Sequence, residues 1–301
     1  MKSKDSVYSD TIYYALFKSF LNPVLRPFSL KGVPSIFYNF FYRQWKAAFL
    51  PGRAPVSSVD HPLDEKIPFV PSWVTIYLDF VCFWVRMLSF LLHRYGRRAF
   101  LLVGNFIESM GDLYAFAAEV YKRNFSTTKR PFYIARPRFF LIHLVDPHLM
   151  CIPSLHVMVV IRTCTMLSVI ARELGEEEKL KDTILEMKQG ALAITQAVLF
   201  VKQHSINCIS AALYAMTCFS PDLFPPKEAE AFVEQLFSPA PPPAAGVKYS
   251  RVHPCAAPKT VIGEADKAEI KSHILTLYRQ FLAEQKEGAF WGDPLLNFLR
   301  K

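Results

Sequence analysis

The chain has 301 residues, enough for one large domain or two small ones. It is 51% hydrophobic, with 26 Phe and 13 Tyr against 11 Gly, which excludes a disordered chain. The net charge of +9 suits anionic lipid headgroups or a phosphorylated substrate. No nucleic-acid motif and no compact Lys/Arg run with interleaved aromatics occurs, so nucleic acid is not an expected partner.

The polar start MKSKDSVYSD has no apolar run directly behind it, and no cleavable signal peptide is expected. Residues 11–50 carry the aromatic clusters IYYALF and FYNFFYRQW, broken by Pro23, Pro27 and Pro34 and studded with Lys and Arg. That pattern predicts amphipathic helix at an interface. A Pro-rich stretch then ends in HPLDEKIPFVPSW at 61–73. Five helices are predicted next, at 72–92, 100–120, Ser154 to Glu173, 190–203 and 204–219, with the polar helical stretch ELGEEEKLKDTILEMKQ at 173–189 linking the third to the fourth. A membrane span needs about 20 mostly apolar residues. The first three helices meet that length, and the last two meet it only as one continuous span. Asp79, Arg86, Glu108, Asp112 and Glu119 interrupt the first two; charges inside spans are expected to face a bundle interior or a polar cavity. The expected fold is all-α, a polytopic membrane helical bundle. Beyond it, residues 240–258 read as an extended linker and 264–286 as a solvated amphipathic helix with Ile270, Ile274, Leu277, Phe281 and Leu282 on one face. The chain divides into an interfacial segment (1–60), a helical membrane domain (61–222) and a linker with its C-terminal helix (223–301). The six cysteines are scattered without metal-ligand spacing, so buried free thiols are expected and neither metal nor cofactor is.

Three segments concentrate polar chemistry among the apolar helices: YKRNFSTTKRPFYIARPRFF at 121–140, DPHLMCIPSLHV at 146–157 and FVKQHSINCISAALYA at 200–215. Ser154 is a good N-cap and Pro153 suits a helix start, which puts His156 in a first turn. If the last three helices run up and down, His156 and His204 fall on one side and face each other, with the basic loop ending beside them. Two imidazoles among cations suit phosphoryl transfer: one ring attacks phosphorus, the other protonates the leaving oxygen, and Arg and Lys neutralise the equatorial oxygens. The plain alternative is a helical membrane protein whose histidines are structural.

The order and spacing of these segments resemble the type-2 phosphatidate phosphatase and vanadium haloperoxidase superfamily, whose pattern is K-x6-RP, then PSGH, then SR-x5-H-x3-D. Lys129 with Arg136–Pro137 has the first spacing; Arg123 with Arg130–Pro131 fits it equally if Arg replaces Lys. PSLH at 153–156 is similar to the second motif, with Leu155 for Gly as in the lipid phosphotransferase-like branch, and KQH at 202–204 resembles the third. DEKIPFVPSWVTIYL at 64–78 resembles the segment that opens the second membrane helix in bacterial members. The resemblance covers residues 60–220. It implies His204 as a nucleophile carrying a phosphohistidine, His156 as general acid, and Ser154, Arg130, Arg136, Lys129 and Lys202 as phosphate ligands, with no metal. It implies a membrane phosphatase or headgroup phosphotransferase acting on a phosphorylated lipid. The third motif departs from the pattern: Ala197–Val198 replace Ser-Arg, and Cys208 replaces the Asp that would fix the tautomer of the nucleophile. A degenerate homologue that binds headgroups as a membrane scaffold is therefore the second expectation. The short Arg-rich connection HRYGRR at 93–98 favours the cytoplasm, which would turn the site outward in a multi-pass cell-membrane protein.

Overall fold

A computed structural model describes residues 6–50, 55–238 and 262–301. The chain folds as helices with one minimal sheet. Three N-terminal helices come first: α1 (Ile12–Leu21), α2 (Arg26–Phe37) and, after a π-helical turn at Tyr38–Tyr42, α3 (Arg43–Phe49). The two long apolar helices follow, α4 (Val74–Tyr95) and α5 (Phe100–Tyr121), then α6 (Pro137–Val145), α7 (Leu155–Leu174), α8 (Glu177–Phe200) and α9 (Ile206–Phe219). The C-terminal part adds α10 (Pro226–Gln235), α11 (Glu264–Glu284) and α12 (Asp293–Leu299). Strands β1 (Val56–Ser58) and β2 (Phe125–Thr127) pair in parallel.

The core is the packing of α4, α5, α7, α8 and α9, and its apolar residues form one cluster. Pro71–Tyr121 and Leu155–Leu174 are long and apolar enough to cross a membrane, and most of their side chains are buried inside the protein. The charges of α4 lie inside: Asp79 and Arg86 pair with each other in the interior. Those of α5 do not follow the expectation. Glu108 pairs with Lys31 of α2, Glu119 pairs with Lys122, and Asp112 is exposed. They mark the rim of the bundle and not its centre.

Three expected boundaries change. The stretch at 173–189 is helical as expected but is no separate element: its first residues end α7 and the rest opens α8, a single 24-residue helix. The connection is a tight turn at Gly175, whose φ of 68° lies in the left-handed region that glycine adopts without penalty. Its N–H closes on the Arg172 carbonyl at 2.9 Å and the Glu176 N–H closes on Ala171 at 2.9 Å, ending α7 with the carbonyls satisfied. The fourth and fifth helices stay separate, since α9 begins at Ile206 and leaves His204 in the preceding turn. The C-terminal helix has the expected amphipathic face but is not solvated. Ile270, Ile274, Leu275, Leu277, Tyr278 and Phe281 of α11 are buried against α9, and the Tyr278 hydroxyl meets Thr217 Oγ1 at 2.9 Å. The predicted linker at 240–258 lies outside the described residues.

The N-terminal helices sit on the bundle through glycines. A Cβ added to Gly32 of α2 would stand 2.4 Å from the Ile107 carbonyl oxygen of α5, and one added to Gly111 would stand 2.8 Å from Gly32 Cα. Backbone meets backbone there, the small-residue contact common between membrane helices. Outward, α1 to α3 expose Phe17, Leu21, Leu30, Phe37 and Phe49. Overfilling this contact is expected to cost about 1–3 kcal/mol. Gly111→Leu should therefore melt below wild type in a common detergent, while Asn105→Ala, on the exposed face of the same helix, should not. Equal melting of Gly111→Leu and wild type would mean that α2 does not seat on α5.

Candidate active site

The sequence places chemistry in two loops, and separate anchors hold each. The loop before α7 is fastened to β2: Ser126 N–H donates to Leu149 O at 3.0 Å, Cys151 N–H to Ser126 O at 3.2 Å and Ile152 N–H to Ser126 Oγ at 2.8 Å. The Tyr121 hydroxyl donates to the Pro153 carbonyl. Ser154 takes the N-cap position of α7, but its hydroxyl does not cap the helix. It lies 3.4 Å from His204 Nε2.

The turn between α8 and α9 is held by Asp64, from the short helical turn Pro62–Lys66. Its Oδ1 accepts the Ile206 N–H at 2.9 Å, its Oδ2 accepts the His61 N–H at 2.8 Å, and its carbonyl accepts Lys202 Nζ. Within the turn, Gln203 and His204 N–H groups both donate to Val198 O, at 3.0 and 3.2 Å. Lys202 adopts φ 55° to make the corner.

These anchors bring the two histidines together. His204 Nε2 is 3.2 Å from His156 Nδ1, with ring centroids 5.1 Å apart. Both rings are buried. His156 is sandwiched by Tyr77 (centroids 4.6 Å, stacked) and Phe80 (4.1 Å) of α4. With the proton of His156 on Nδ1, His204 Nε2 is the acceptor and holds its lone pair toward the centre of the site. The His204 proton is then on Nδ1, which is buried with no hydrogen-bond partner among the described residues.

Of the predicted phosphate ligands, Ser154 and Arg130 reach this cluster. Arg130 Nη1 donates to Gln203 Oε1 at 3.3 Å and Nη2 to the Asp146 carbonyl at 3.0 Å, which ties the basic loop to both others. The remaining cations stand elsewhere. Lys129 is exposed and binds Asp60 through its backbone N–H at 2.8 Å. Arg136 is exposed at the N-terminus of α6, and Arg123 lies over the Phe290 ring at 3.8 Å. Lys202 is spent on Asp64, and its half-buried position pulls its pKa down. Asn207 is likewise occupied: its Nδ2 donates to Val59 O at 3.1 Å and its Oδ1 meets His273 Nε2 of α11 at 2.8 Å. Ala197 and Val198 are buried in α8 and contribute backbone carbonyls only, Ala197 O to the Val201 N–H and Val198 O to Gln203 and His204.

Four neighbours of the histidines escape a reading by motif: Asp64, Gln203, His148 and Cys151. His148 is buried with φ 60°, takes a hydrogen bond with Thr128 Oγ1 at 2.8 Å, and has Cys151 Sγ 3.6 Å from its Nε2. Asp146 accepts the His148 N–H at 2.8 Å and lies 3.9 Å from Nδ1. Burial pulls the His148 imidazole down, yet Cys151 and Asp146 together lift it to about 9. Burial also raises Asp146, but its bonds with His148 outweigh that and hold it at about 2. The signal available in the sequence was the density of Asp146, His148 and Cys151 within six residues just before PSLH. No group of residues among those described is arranged to hold a metal ion. No family model matches the chain, and neither a curated protein nor a solved structure matches it.

The Asp146 carboxyl is held below its ordinary value, so its contribution to stability is present above about pH 4 and is lost as pH falls through about 2. Asp146→Asn should be less stable than wild type by about 2 kcal/mol at neutral pH, with the gap closing in acid. Chemical unfolding of both proteins across acid pH checks this; a gap that stays constant down to pH ~2 would mean the carboxylate does not charge-pair with His148.

Proposed function

We propose that the chain is a membrane-seated phosphotransfer protein of the type-2 phosphatidate phosphatase kind, acting on a phosphorylated lipid. The observation that carries this reading is the meeting of His204 Nε2 with His156 Nδ1 at 3.2 Å, with the Ser154 hydroxyl beside the same nitrogen and Arg130 tied to the next residue, Gln203. Three distant stretches of sequence supply these groups: His204 from the turn between α8 and α9, His156 and Ser154 from the start of α7, and Arg130 from the basic loop. A lipid partner is supported by α6 and the loop before it, which expose Phe132, Ile134, Phe140, Leu141 and Leu144 next to the basic Arg136 and Arg138.

In this reading the substrate phosphoryl group takes the place of the direct hydrogen bond between the rings. With the phosphorylated substrate bound, His156 carries protons on both ring nitrogens; His204 Nε2 attacks phosphorus as the bond to the leaving oxygen breaks, and the His156 imidazolium gives that oxygen its Nδ1 proton and becomes neutral. Ser154 and Arg130 hold the non-bridging oxygens and neutralise their charge. Water then attacks the phosphohistidine and returns its proton to His156, releasing phosphate. An acceptor alcohol in place of water makes the same cycle a headgroup transfer. A second reading, headgroup binding without turnover, is favoured by one observation: the buried His204 Nδ1 has no hydrogen-bond partner among the described residues, and position 208, where the resemblance implies a carboxylate, holds a cysteine.

Phosphate release from phosphatidate and from an isoprenyl diphosphate separates these readings. His204→Ala should abolish turnover, and His156→Ala should lower it by about 10²–10⁴-fold. Equal rates for wild type and His204→Ala would remove the nucleophile. Binding of phosphatidate vesicles without phosphate release would establish the second reading. The Arg-rich connection at 93–98 argues for an outward-facing site. Cysteines introduced at Phe132 and Arg97 test it: a membrane-impermeant thiol reagent applied to intact cells should label position 132 and not 97, and the reverse pattern would invert the orientation.

A further inference from the structure

The three N-terminal helices are amphipathic the wrong way round for water. Their buried stripe is small or polar: Ala15, Ser19, Ser29, Gly32, Asn39 and Gln44 lie against the bundle. Their exposed stripe is large and apolar: Phe17, Leu21, Leu30, Phe37, Tyr42 and Phe49. A surface helix in water does the reverse. The same molecule shows that ordinary pattern in α11, with Ile270, Ile274 and Phe281 inward and Glu269, Arg279 and Gln280 exposed. Helices that pack through small and polar residues and turn large apolar ones outward suit a hydrocarbon solvent. The segment 11–50 also carries five cations, Lys18, Arg26, Lys31, Arg43 and Lys46, and no acid, which suits anionic headgroups. Among the described residues no large apolar side chain beyond Leu185 is exposed, so the C-terminal helices offer lipid no comparable face.

The polar stripe leads to the candidate site. Ser29 Oγ donates to Ser19 O at 3.0 Å, Ser35 Oγ to Gly111 O of α5 at 2.8 Å, and Asn39 Nδ2 to Ser35 O at 3.0 Å. At the end of the stripe, Gln44 Oε1 accepts the Leu149 N–H at 3.2 Å. The Leu149 carbonyl accepts from Ser126 at 3.0 Å, so α3 and β2 hold the two polar groups of one residue. That residue follows His148 in the loop that ends at Ser154.

We propose that α1–α3 is seated in an anionic bilayer and that Gln44 passes this seating to the active-site loop, so that lipid contact regulates the site. The effect on turnover rests on the phosphotransfer reading; the seat does not. The physical link is solvent. In water the serine, Asn39 and Gln44 side chains find competing partners as soon as the helices loosen, and the apolar face gains nothing by staying in place. In hydrocarbon an unmade polar bond is costly, and the apolar face is taken up by lipid. Lipid therefore prefers the docked arrangement, and a ligand that prefers one arrangement shifts the population toward it. In the docked arrangement Gln44 holds Leu149, and with it the loop that carries the site.

The seat is tested in the full chain, reconstituted in vesicles of phosphatidylcholine with phosphatidylglycerol. A nitroxide placed at Phe37 should collide with dissolved oxygen far more than with a water-soluble nickel chelate, and one at Gln280 of α11 should do the reverse. Preferential nickel collision at 37, or spin–spin broadening there from a second copy, would overturn the seat. The coupling is read as amide hydrogen exchange at Leu149. Exchange should be slower in these vesicles than in phosphatidylcholine alone, and equal protection would overturn the anionic preference. Phe37→Ser combined with Phe49→Ser, two exposed positions of the apolar face, should speed that exchange about 10-fold, and unchanged exchange would break the link. In turnover, Gln44→Met removes the acceptor and should lower kcat for phosphate release from phosphatidate about 10-fold with KM little changed. Gln44→Glu keeps an acceptor at the same reach and should retain most of the rate. Full turnover by Gln44→Met would overturn the coupling; if that variant does not fold, Leu149 exchange in the double serine variant decides. Failure of the phosphotransfer reading shows separately, as equal rates for wild type and His204→Ala, and leaves the nitroxide and exchange measurements intact.

Discussion

Asp64 fastens the segment before α4 to the turn between α8 and α9. One carboxylate oxygen takes the first free N–H of α9, the other closes its own turn at His61, and the carbonyl holds Lys202. The turn it fastens has a non-glycine residue at φ 55° and opens a helix whose first N–H, that of Ile206, points at the carboxylate. A negative charge at a helix start is favourable in itself, and here it also fixes the one corner on which His204 stands. Without that anchor the imidazole would sit on a strained turn between two buried helices, and its distance to His156 would no longer be set. The α7 side depends in the same way on Ser126, whose backbone and hydroxyl fasten the loop that carries Asp146, His148 and Cys151. Two small anchors, both outside the helices, therefore set the geometry of the cluster.

The helices were legible because apolar periodicity is a local property. Their cores at 74–95, 100–121 and 155–174 agree with the apolar runs. The helix at 173–189 was legible, but its continuity with the apolar part of α8 was not: charged residues there outnumber apolar ones, yet Leu180, Thr183, Met187 and Ala191 share a buried face, and a helix that buries one stripe tolerates a polar remainder. The fate of α11 was half legible. Its apolar stripe was visible, but which helix would receive it is a tertiary question that periodicity does not answer.

In the cluster, the two histidines and Ser154 could be found because they recur in a known pattern. The two Arg-Pro pairs could not be separated by spacing, and the contacts of Arg130 with Gln203 and Asp146 distinguish them physically: one guanidinium is bound into the cluster, while Arg136 stands in solvent. Cys151 and His148 stayed hidden for a different reason. They are three residues apart in a loop with no regular period, and only the left-handed backbone at His148 turns the two side chains toward each other. A sequence read by spacing alone sees the changed residue at position 208 and does not see that His148 and Cys151 pack against each other in a separate loop.

The docking of α11 on α9 couples the site to time as well as to space. His273 contacts Asn207, one residue before Cys208, and stacks on His61, three residues before Asp64. Residues 264–284 leave the ribosome after every residue of the cluster has been made. Until they do, the amide of Asn207 lacks its imidazole, and α9 presents to water the apolar face that Tyr278 and Phe281 later cover. The site is thus closed from behind by a helix made after every residue of the cluster.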